Sequence, residues 1–208
     1  NTLLSMAHNL KNINISGMSR DVSWKFTGKK SSPFLNFREI IALEDRYDAI
    51  SSFYFMATDR DIKRFRYNIE DVGSEMGQIT DTGREIGLHG GYYAYNDPDA
   101  IVKEKAALEK TLGRSVCGYR NHYLMFSYPQ TWELLERAGF KYDTTIGYND
   151  RVGFKNGVCH PFKPYNLKNG KEMDILEIPM TIMDCALFDR TRSFREAWDI
   201  TKRLIDET

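Results

Sequence analysis

The chain has no net charge and few cysteines, and both shortages exclude classes of protein. Lysine plus arginine and aspartate plus glutamate each number 29, so the formal net charge is zero. Nucleic-acid-binding domains usually carry a basic excess, and we therefore expect no nucleic acid partner. The three cysteines are Cys117, Cys159 and Cys185. Their odd number and wide spacing predict neither a disulfide framework nor a cysteine zinc motif, so we expect buried free thiols in a reducing compartment.

Long apolar runs and nucleotide-binding glycine motifs are also missing from the sequence. No apolar stretch approaches the length of a membrane span, and no charged-then-apolar segment of the signal-peptide type opens the sequence. No G-x-G-x-x-G or P-loop pattern follows a strand-like run. We therefore expect no membrane span, and nucleotide binding is disfavoured.

Aromatic residues, in contrast, are abundant at 13% of the chain, and many lie in polar, turn-rich segments. In "GREIGLHGGYYAYND" (83–97), a short apolar run ends in His89, two glycines and three tyrosines within four positions. Such rings suit a surface that stacks against sugars. For most aromatic residues of the chain, packing in the core remains the alternative interpretation.

The hydrophobic pattern alternates between strand and helix periods along most of the chain. Apolar positions spaced three and four apart predict helices, and β-branched or aromatic runs predict strands. The predicted helices cover 36–47, 69–82, 96–113, 127–139 and 193–207, and the predicted strands cover 49–57, 84–89, 115–120, 140–146 and 174–184. This alternation predicts βαβ units with a parallel sheet, either open and doubly wound or closed into a barrel.

Polar side chains collect where several predicted strands end. In the strand 84–89, Ile86 and Leu88 share the face that packs under helices, while Gly87 keeps the other face open and His89 ends it. Arg120 and His122 share one parity at the end of the next strand, and Asp184 ends the last one. In a (β/α) barrel, chemistry concentrates at this rim. Two imidazoles there suit a zinc site with an open position for water.

Each of these residues also has a structural interpretation, and these alternatives stay open at this point. A strand-end histidine is often a hydrogen-bonded structural residue, and Arg120 could be a buried salt-bridge partner. Asp184 could cap the following turn. His160, in a proline- and aromatic-rich loop, is interpreted as part of a packed structural loop.

Three segments in a fixed order carry a family resemblance. They are "REIGLHG", "VCGYRNHYL" and "GFKYDTTIG", preceded by "SSFYFMA" and followed by "EIPMTIMD". Over about residues 36–190 this order resembles the polysaccharide deacetylase family, the NodB-homology carbohydrate esterases. The resemblance implies an α/β fold, in the form of an irregular (β/α) barrel. It also implies an enzyme that removes acetyl groups from a carbohydrate with the help of a divalent metal, most often zinc.

The resemblance also implies roles for single residues. His89 matches the first histidine of the family's H-x-x-x-H metal segment, whose second position falls on Tyr93. The family's R-x-P-Y segment matches Arg120, Asn121, His122 and Tyr123, so His122 suggests a relocated metal ligand. The residues we predict are His89 and His122 for the metal, Arg120 and Asp184 for catalysis, and Tyr92, Tyr123 and Phe162 for the sugar.

Two family motifs have no match in this sequence. These are the first motif, a strand ending in paired aspartates, and the last motif, Leu-x-His. We therefore expect an incomplete barrel that is catalytically impaired, with the third metal ligand, the base and the acid outside this chain. We expect a single domain over 1–208, in which 35–208 match best and 1–34 are unassigned.

Two other functions remain open. A non-catalytic carbohydrate-binding or scaffold domain on the same fold would explain the missing motifs together with the tyrosines. A glycoside hydrolase could use two carboxylates among Asp143, Asp150 and Asp184, although nothing in the sequence places two of them across a scissile bond. The neutral charge and free cysteines favour a cytoplasmic location, with the cell envelope as the alternative.

Overall fold

The computed structural model describes residues 35–58 and 67–208, so the unassigned segment 1–34 lies outside the described residues. The helices are α1 (Phe37–Asp45), α2 (Gly73–Asp81), α3 (Pro98–Leu112), α4 (Gln130–Arg137), α5 (Asp184–Arg190) and α6 (Phe194–Asp206). The strands are β1 (Ser52–Phe55), β2 (Glu85–Gly90), β3 (Gly118–Asn121), β4 (Tyr142–Asp143), β5 (Tyr165–Asn166), β6 (Lys171–Glu172) and β7 (Leu176–Glu177). Short 3-10 turns cover Ile69–Val72, Ala94–Asn96 and His122–Leu124.

The described residues divide into two compact units, so the expectation of a single domain stays a prediction. The smaller unit comprises 35–51 and 74–84, and the larger comprises 52–58, 67–73 and 85–208. Within the smaller unit, Arg84 bonds to Glu44 at 3.4 Å and to Asp45 at 2.5 Å, at the end of α1. Arg38 also donates to the amide oxygen of Gln78 at 2.8 Å. Charged and polar contacts therefore join its two segments.

The larger unit is built on a parallel sheet with the strand order β1-β2-β3-β4-β7. In its register, His89 lies opposite Arg120, and Asp143 lies opposite Glu177. The strands β5 and β6 form a separate antiparallel pair. The α/β class with a parallel sheet is thus confirmed, and the carboxyl ends of the parallel strands share one edge, as the rim argument requires.

Local signals explain why α3 begins and ends where the sequence predicts. The side chain of Asp97 accepts hydrogen bonds from the backbone N–H groups of Asp99 and Ala100, both at 3.1 Å. Pro98 occupies the first turn, where its missing N–H costs nothing. At the other end, Gly113 adopts φ 75°, a left-handed conformation that favours glycine. Caps of this kind depend on a few neighbouring residues, so the sequence alone identifies them.

The predicted strand over 174–184 is wrong in most of its length. Only Leu176–Glu177 forms a strand, and Gly147 and Met180 make one isolated bridge beyond it. Pro179 has no N–H to donate to a ladder, so continuous pairing stops before it. The chain then turns, and Asp184 begins α5 instead of ending a strand. The parity argument that placed Asp184 at the rim therefore does not hold.

Two further expectations can be compared with the structure. All three cysteines are free, as expected, but Cys117 and Cys185 are exposed and Cys159 is only half-buried. The expectation that these thiols are buried was therefore wrong. Cys117 is exposed just before β3, and Cys185 is exposed on α5. Of the helices in 35–58 and 67–208, none combines the length and the apolar character that crossing a membrane requires.

Candidate active site

The two strand-end histidines meet at the carboxyl edge of the sheet. His89 is the fifth residue of β2, and His122 begins the 3-10 turn that follows β3. Nε2 of His89 lies 3.1 Å from Nδ1 of His122, and the rings meet edge to face with centroids 5.2 Å apart. Both side chains are half-buried. The structure thus brings together two imidazoles that are 33 residues apart in the sequence.

Arg120 lies beside this pair and is held in place without a salt bridge. Its Nε donates to Oγ1 of Thr144 at 2.9 Å, and its guanidinium carbon lies 5.0 Å from the centroid of the Tyr54 ring. Within the described segments, no carboxylate forms an ion pair with Arg120. The alternative of a buried salt-bridge partner is therefore not supported there, and a fixed positive charge stands next to His89.

Tyrosines surround the open side of the histidine pair. The Tyr123 ring packs edge to face on His122 at 4.6 Å and on Tyr92 at 5.6 Å, and Tyr92 contacts Tyr93 at 4.8 Å. Tyr93 and Tyr123 are 55% and 43% exposed. Of the predicted sugar-binding residues, Tyr123 therefore contacts the histidine pair directly, and Tyr92 packs against Tyr123; both rings can offer aromatic surface to a ligand.

Tyrosine rings also fill the sheet face beneath the pair, where we expected open space. A Cβ added to Gly87 would lie 2.6 Å from the Tyr54 ring, and one on Gly118 would lie within hard contact of Tyr142. The hydroxyl of Tyr142 donates to Glu85 at 2.7 Å. Gly87 does not keep this face open, because the absence of its side chain admits the Tyr54 ring. The result is a packed floor beneath His89.

The other two predicted site residues lie elsewhere. Asp184 is exposed at the start of α5, where its carboxylate accepts from the backbone N–H of Cys185 at 2.8 Å. Phe162 is half-buried and its ring lies 6.4 Å from that of Trp132, while its backbone pairs with Glu177. Among the residues that the structure describes, no hydrogen bond or ring contact joins either side chain to His89 or His122, and Phe162 packs against α4 instead.

A buried pair of carboxyl groups escaped the sequence analysis. Asp143 and Glu177 are both 0% exposed on adjacent strands. Glu177 accepts from the indole N–H of Trp132 at 2.9 Å and from the backbone N–H of Ile146 at 3.0 Å. Asp143 accepts through Oδ1 from the hydroxyl and backbone N–H of Thr145 at 2.5 and 3.1 Å. These contacts give both carboxyl groups structural partners.

The buried surroundings of the two carboxyl groups favour the protonated form of each. Burial raises the pKa of Glu177, and the neighbouring Asp143 charge raises it further. Burial also raises the pKa of Asp143. Oδ2 of Asp143 has no hydrogen-bond partner among the described residues, and a proton on Glu177 shared with Asp143 would supply one. Full burial removes Asp143 from any role across a scissile bond, and Asp150 is paired with Arg151 at 2.9 Å. The glycoside hydrolase alternative therefore has no support.

The spacing of the two histidine nitrogens can be compared with that of two zinc ligands. Two nitrogen ligands at corners of a tetrahedral zinc site lie about 3.3 Å apart. The 3.1 Å between Nε2 of His89 and Nδ1 of His122 fits two such positions. Among the residues that the structure describes, no three histidine, cysteine, aspartate or glutamate side chains form a metal-binding group. The described residues thus fit a zinc ion as two of the three protein ligands that a catalytic site needs.

Comparisons with known proteins agree with the family resemblance. No family model matches the chain. A peptidoglycan deacetylase of Helicobacter pylori is 29% identical over 133 residues, which cover 54% of this chain and 44% of that protein. The chain therefore spans less than half the length of this relative. The resemblance to the polysaccharide deacetylases is confirmed.

Two solved structures are similar to parts of the chain. A Mycobacterium smegmatis protein described as a polysaccharide deacetylase matches with a TM-score of 0.52 and 20% identity, over 86% of this chain and 54% of that one. The protein IcaB of Ammonifex degensii matches with a TM-score of 0.42 and 17% identity, over 54% and 55% of the two chains. The first likeness confirms the irregular (β/α) barrel fold.

Proposed function

We propose that this relative of the polysaccharide deacetylase family is part of a metal-dependent hydrolase that removes acetyl groups from a carbohydrate. The observation that carries the proposal is the His89–His122 pair, with facing nitrogens 3.1 Å apart at the carboxyl edge of the parallel sheet. The H. pylori relative is named for its action on peptidoglycan, so an acetylated cell-wall glycan is the first substrate to test.

His89 and His122 would hold a divalent metal, for which zinc is the first choice because neutral imidazoles are preferred zinc ligands. When bound, such an ion lowers the pKa of its water to about 7 and so supplies a nucleophile at neutral pH. We predict that the third metal ligand, the catalytic base and the acid come from outside the described residues. For the same reason, we predict that the described part alone is catalytically impaired.

Arg120 would stabilise negative charge that develops on the acetyl carbonyl. Its guanidinium is fixed by the bond from Nε to Thr144 and by the ring of Tyr54, so the charge is oriented before substrate binds. Preorganised charge of this kind contributes more than a mobile side chain. Asp184 has no part in this proposal because it lies at the start of α5.

Tyr92 and Tyr123 would form one wall of the sugar site. Their rings contact each other at 5.6 Å, and Tyr123 also contacts His122, so a sugar stacked on them would lie next to the metal ligands. Tyr93, at the position of the family's second metal-segment histidine, is 55% exposed beside Tyr92 and extends this wall.

The test uses the complete gene product and three histidine variants. We expect wild-type protein to bind about one zinc ion and to release acetate from acetylated N-acetylglucosamine oligomers or peptidoglycan. His89→Ala and His122→Ala should each lose both properties. His160→Ala is the matched control, because His160 is exposed in a loop where its ring nitrogen contacts only its neighbour Pro161 among the bonds described.

Two outcomes would contradict the proposal. One is metal content and acetate release that survive both site substitutions. The other is glycan binding that persists after chelation and in His89→Ala without any acetate release, which would indicate the non-catalytic carbohydrate-binding domain instead.

A further inference from the structure

The segment that carries His122 has an unusual backbone. Tyr123 and Leu124, the two residues after His122, have φ angles of 57° and 53°. Left-handed conformations are unfavourable for residues with a Cβ, and two in succession persist only where surrounding contacts hold them. The position of the His122 ring depends on this turn, because the backbone departs from the strand at that residue. Something must therefore stabilise the turn.

Asn121 makes the contacts that hold it. Its side chain is fully buried, and its Nδ2 donates to the backbone carbonyl of His122 at 3.1 Å. The same carbonyl accepts from the backbone N–H of Met125 at 3.3 Å, which closes the turn. The backbone N–H of Asn121 donates to Oγ1 of Thr145 at 3.0 Å. The backbone of Asn121 is thus held by Thr145, which follows β4, and its side chain bonds to the first carbonyl of the turn.

The His122 carbonyl and the Tyr119 hydroxyl together determine the orientation of the Asn121 amide. The Tyr119 hydroxyl donates to Oδ1 of Asn121. A carbonyl oxygen can only accept, so Nδ2 must face the carbonyl of His122 and Oδ1 must face Tyr119. The amide therefore has one orientation that satisfies both contacts. An aspartate of the same shape could not satisfy the carbonyl, because its ionised carboxylate has no hydrogen to donate.

Tyr119 also connects this arrangement to the strand of His89. A Cβ on Gly90, the residue after His89, would lie only 2.0 Å from the Tyr119 hydroxyl, so the tyrosine packs directly on the Gly90 backbone. A continuous buried contact thus runs from Gly90 through Tyr119 and Asn121 to the carbonyl of His122. It joins the backbone next to one histidine to the backbone of the other.

We propose that Asn121 is a positioning residue that sets the distance between the facing nitrogens of His89 and His122. It acts through the turn backbone and through Tyr119, and it does not touch the imidazole nitrogens. The role in metal binding rests on the proposed function above, whereas the role in placing the two rings does not.

The central test is the isosteric substitution Asn121→Asp, which removes the donor to the His122 carbonyl and keeps the side-chain shape. We expect the nuclear Overhauser effect between the ring protons of His89 and His122 to be lost in metal-free protein. We also expect hydrogen exchange at the Met125 amide to accelerate at least about 10-fold, since its bond to His122 holds the turn. Zinc affinity should fall about 10- to 100-fold, as for other residues that orient metal ligands.

Two further variants separate positioning from general destabilisation. Tyr119→Phe removes the hydrogen bond to Oδ1 of Asn121 but leaves the bond from Nδ2 to the His122 carbonyl. Its effects on the ring-to-ring signal, the Met125 exchange rate and the zinc affinity should therefore have the same direction and a smaller size. Ile175→Val truncates a buried side chain that makes none of these contacts. It should lower the urea midpoint while leaving the ring-to-ring effect, the Met125 exchange rate and the zinc affinity unchanged.

The proposal is overturned if Asn121→Asp retains the wild-type ring-to-ring effect and Met125 exchange rate, or if Ile175→Val loses them to the same extent. If wild-type protein binds no zinc, the proposed metal-dependent function is contradicted. The ring-to-ring effect and the Met125 exchange rate, both measured in metal-free protein, still decide the role of Asn121.

Discussion

The molecule contains two pairs of titratable side chains, and the two members of each pair come from neighbouring elements. The two pairs differ in how far they are buried. Asp143 and Glu177 are fully buried, and indole and backbone N–H groups donate to three of their four carboxyl oxygens. His89 and His122 are half-buried at the carboxyl edge, beside exposed tyrosine rings. Burial thus separates a pair that stabilises the sheet from a pair that can meet a ligand, although both contain groups capable of acid–base chemistry.

The largest expected effect comes from breaking the buried pair. Glu177→Ala would leave the Trp132 and Ile146 N–H groups without an acceptor and would open a cavity. We expect a loss of about 3–5 kcal/mol in the free energy of unfolding, measured by urea denaturation. Glu172→Ala, on the exposed strand β6, is the control and should change stability by less than about 0.5 kcal/mol. Equal losses in both variants would contradict a structural role for the buried pair.

A second substitution tests the packed floor beneath the histidines. In Gly87→Ala, the new methyl group would meet the Tyr54 ring and also the Gly118 carbonyl oxygen, which lies 2.9 Å away and cannot rotate aside. Overpacking of this kind should cost about 1–3 kcal/mol in urea denaturation.

Gly77→Ala in α2 is the matched control for this change, because nothing lies within 4 Å of its added Cβ. The substitution favours the helix, so we expect unchanged or slightly increased stability. A Gly87→Ala protein as stable as the wild type would show that Tyr54 does not fill this space.

A third experiment tests the shared proton through pH. The raised pKa of Glu177 means that the folded state keeps a proton that the unfolded state releases above about pH 4.5. Stability is therefore highest at low pH within this window and falls as pH rises towards the folded-state pKa. Since each unit of raised pKa inside this window corresponds to about 1.4 kcal/mol, a fall of at least that size between pH 5 and 9 should be measurable by urea denaturation.

Asp143→Asn should reduce that fall by at least about half. The amide keeps an oxygen for Thr145 and presents an N–H to Glu177, so it removes the neighbouring negative charge and favours the ionised glutamate. A variant with the full wild-type pH dependence would indicate that the two carboxyl groups do not share a proton.

The smallest effect on stability is expected at the rim. His122→Ala in metal-free protein removes a half-buried ring that the sheet does not need, so unfolding should change by about 1 kcal/mol or less. The measurement is the urea midpoint under the conditions used for Glu177→Ala. A loss of 3 kcal/mol or more would make the histidine pair structural and would remove the contrast between the two regions.

The sequence alone determined the features that depend on near neighbours. Asp97, Pro98 and Gly113 define α3, because capping and turn conformations involve only a few adjacent residues. The alternation of helices and strands indicated a parallel α/β fold, and His89 was recognisable at the end of a short buried strand. The ordered segments then indicated a resemblance to the polysaccharide deacetylases, and the comparisons with known proteins agree with that resemblance.

Only the tertiary structure decided which distant side chains meet. The distance between His89 and His122, the burial of Asp143 beside Glu177, and the bond from Asn121 to Thr145 all depend on strand register and on contacts between residues far apart in sequence. The error at Asp184 has a local cause, because the predicted strand ran through Pro179, which has no N–H for continued pairing. Periodicity reports which face a residue occupies, whereas burial and partners decide its role.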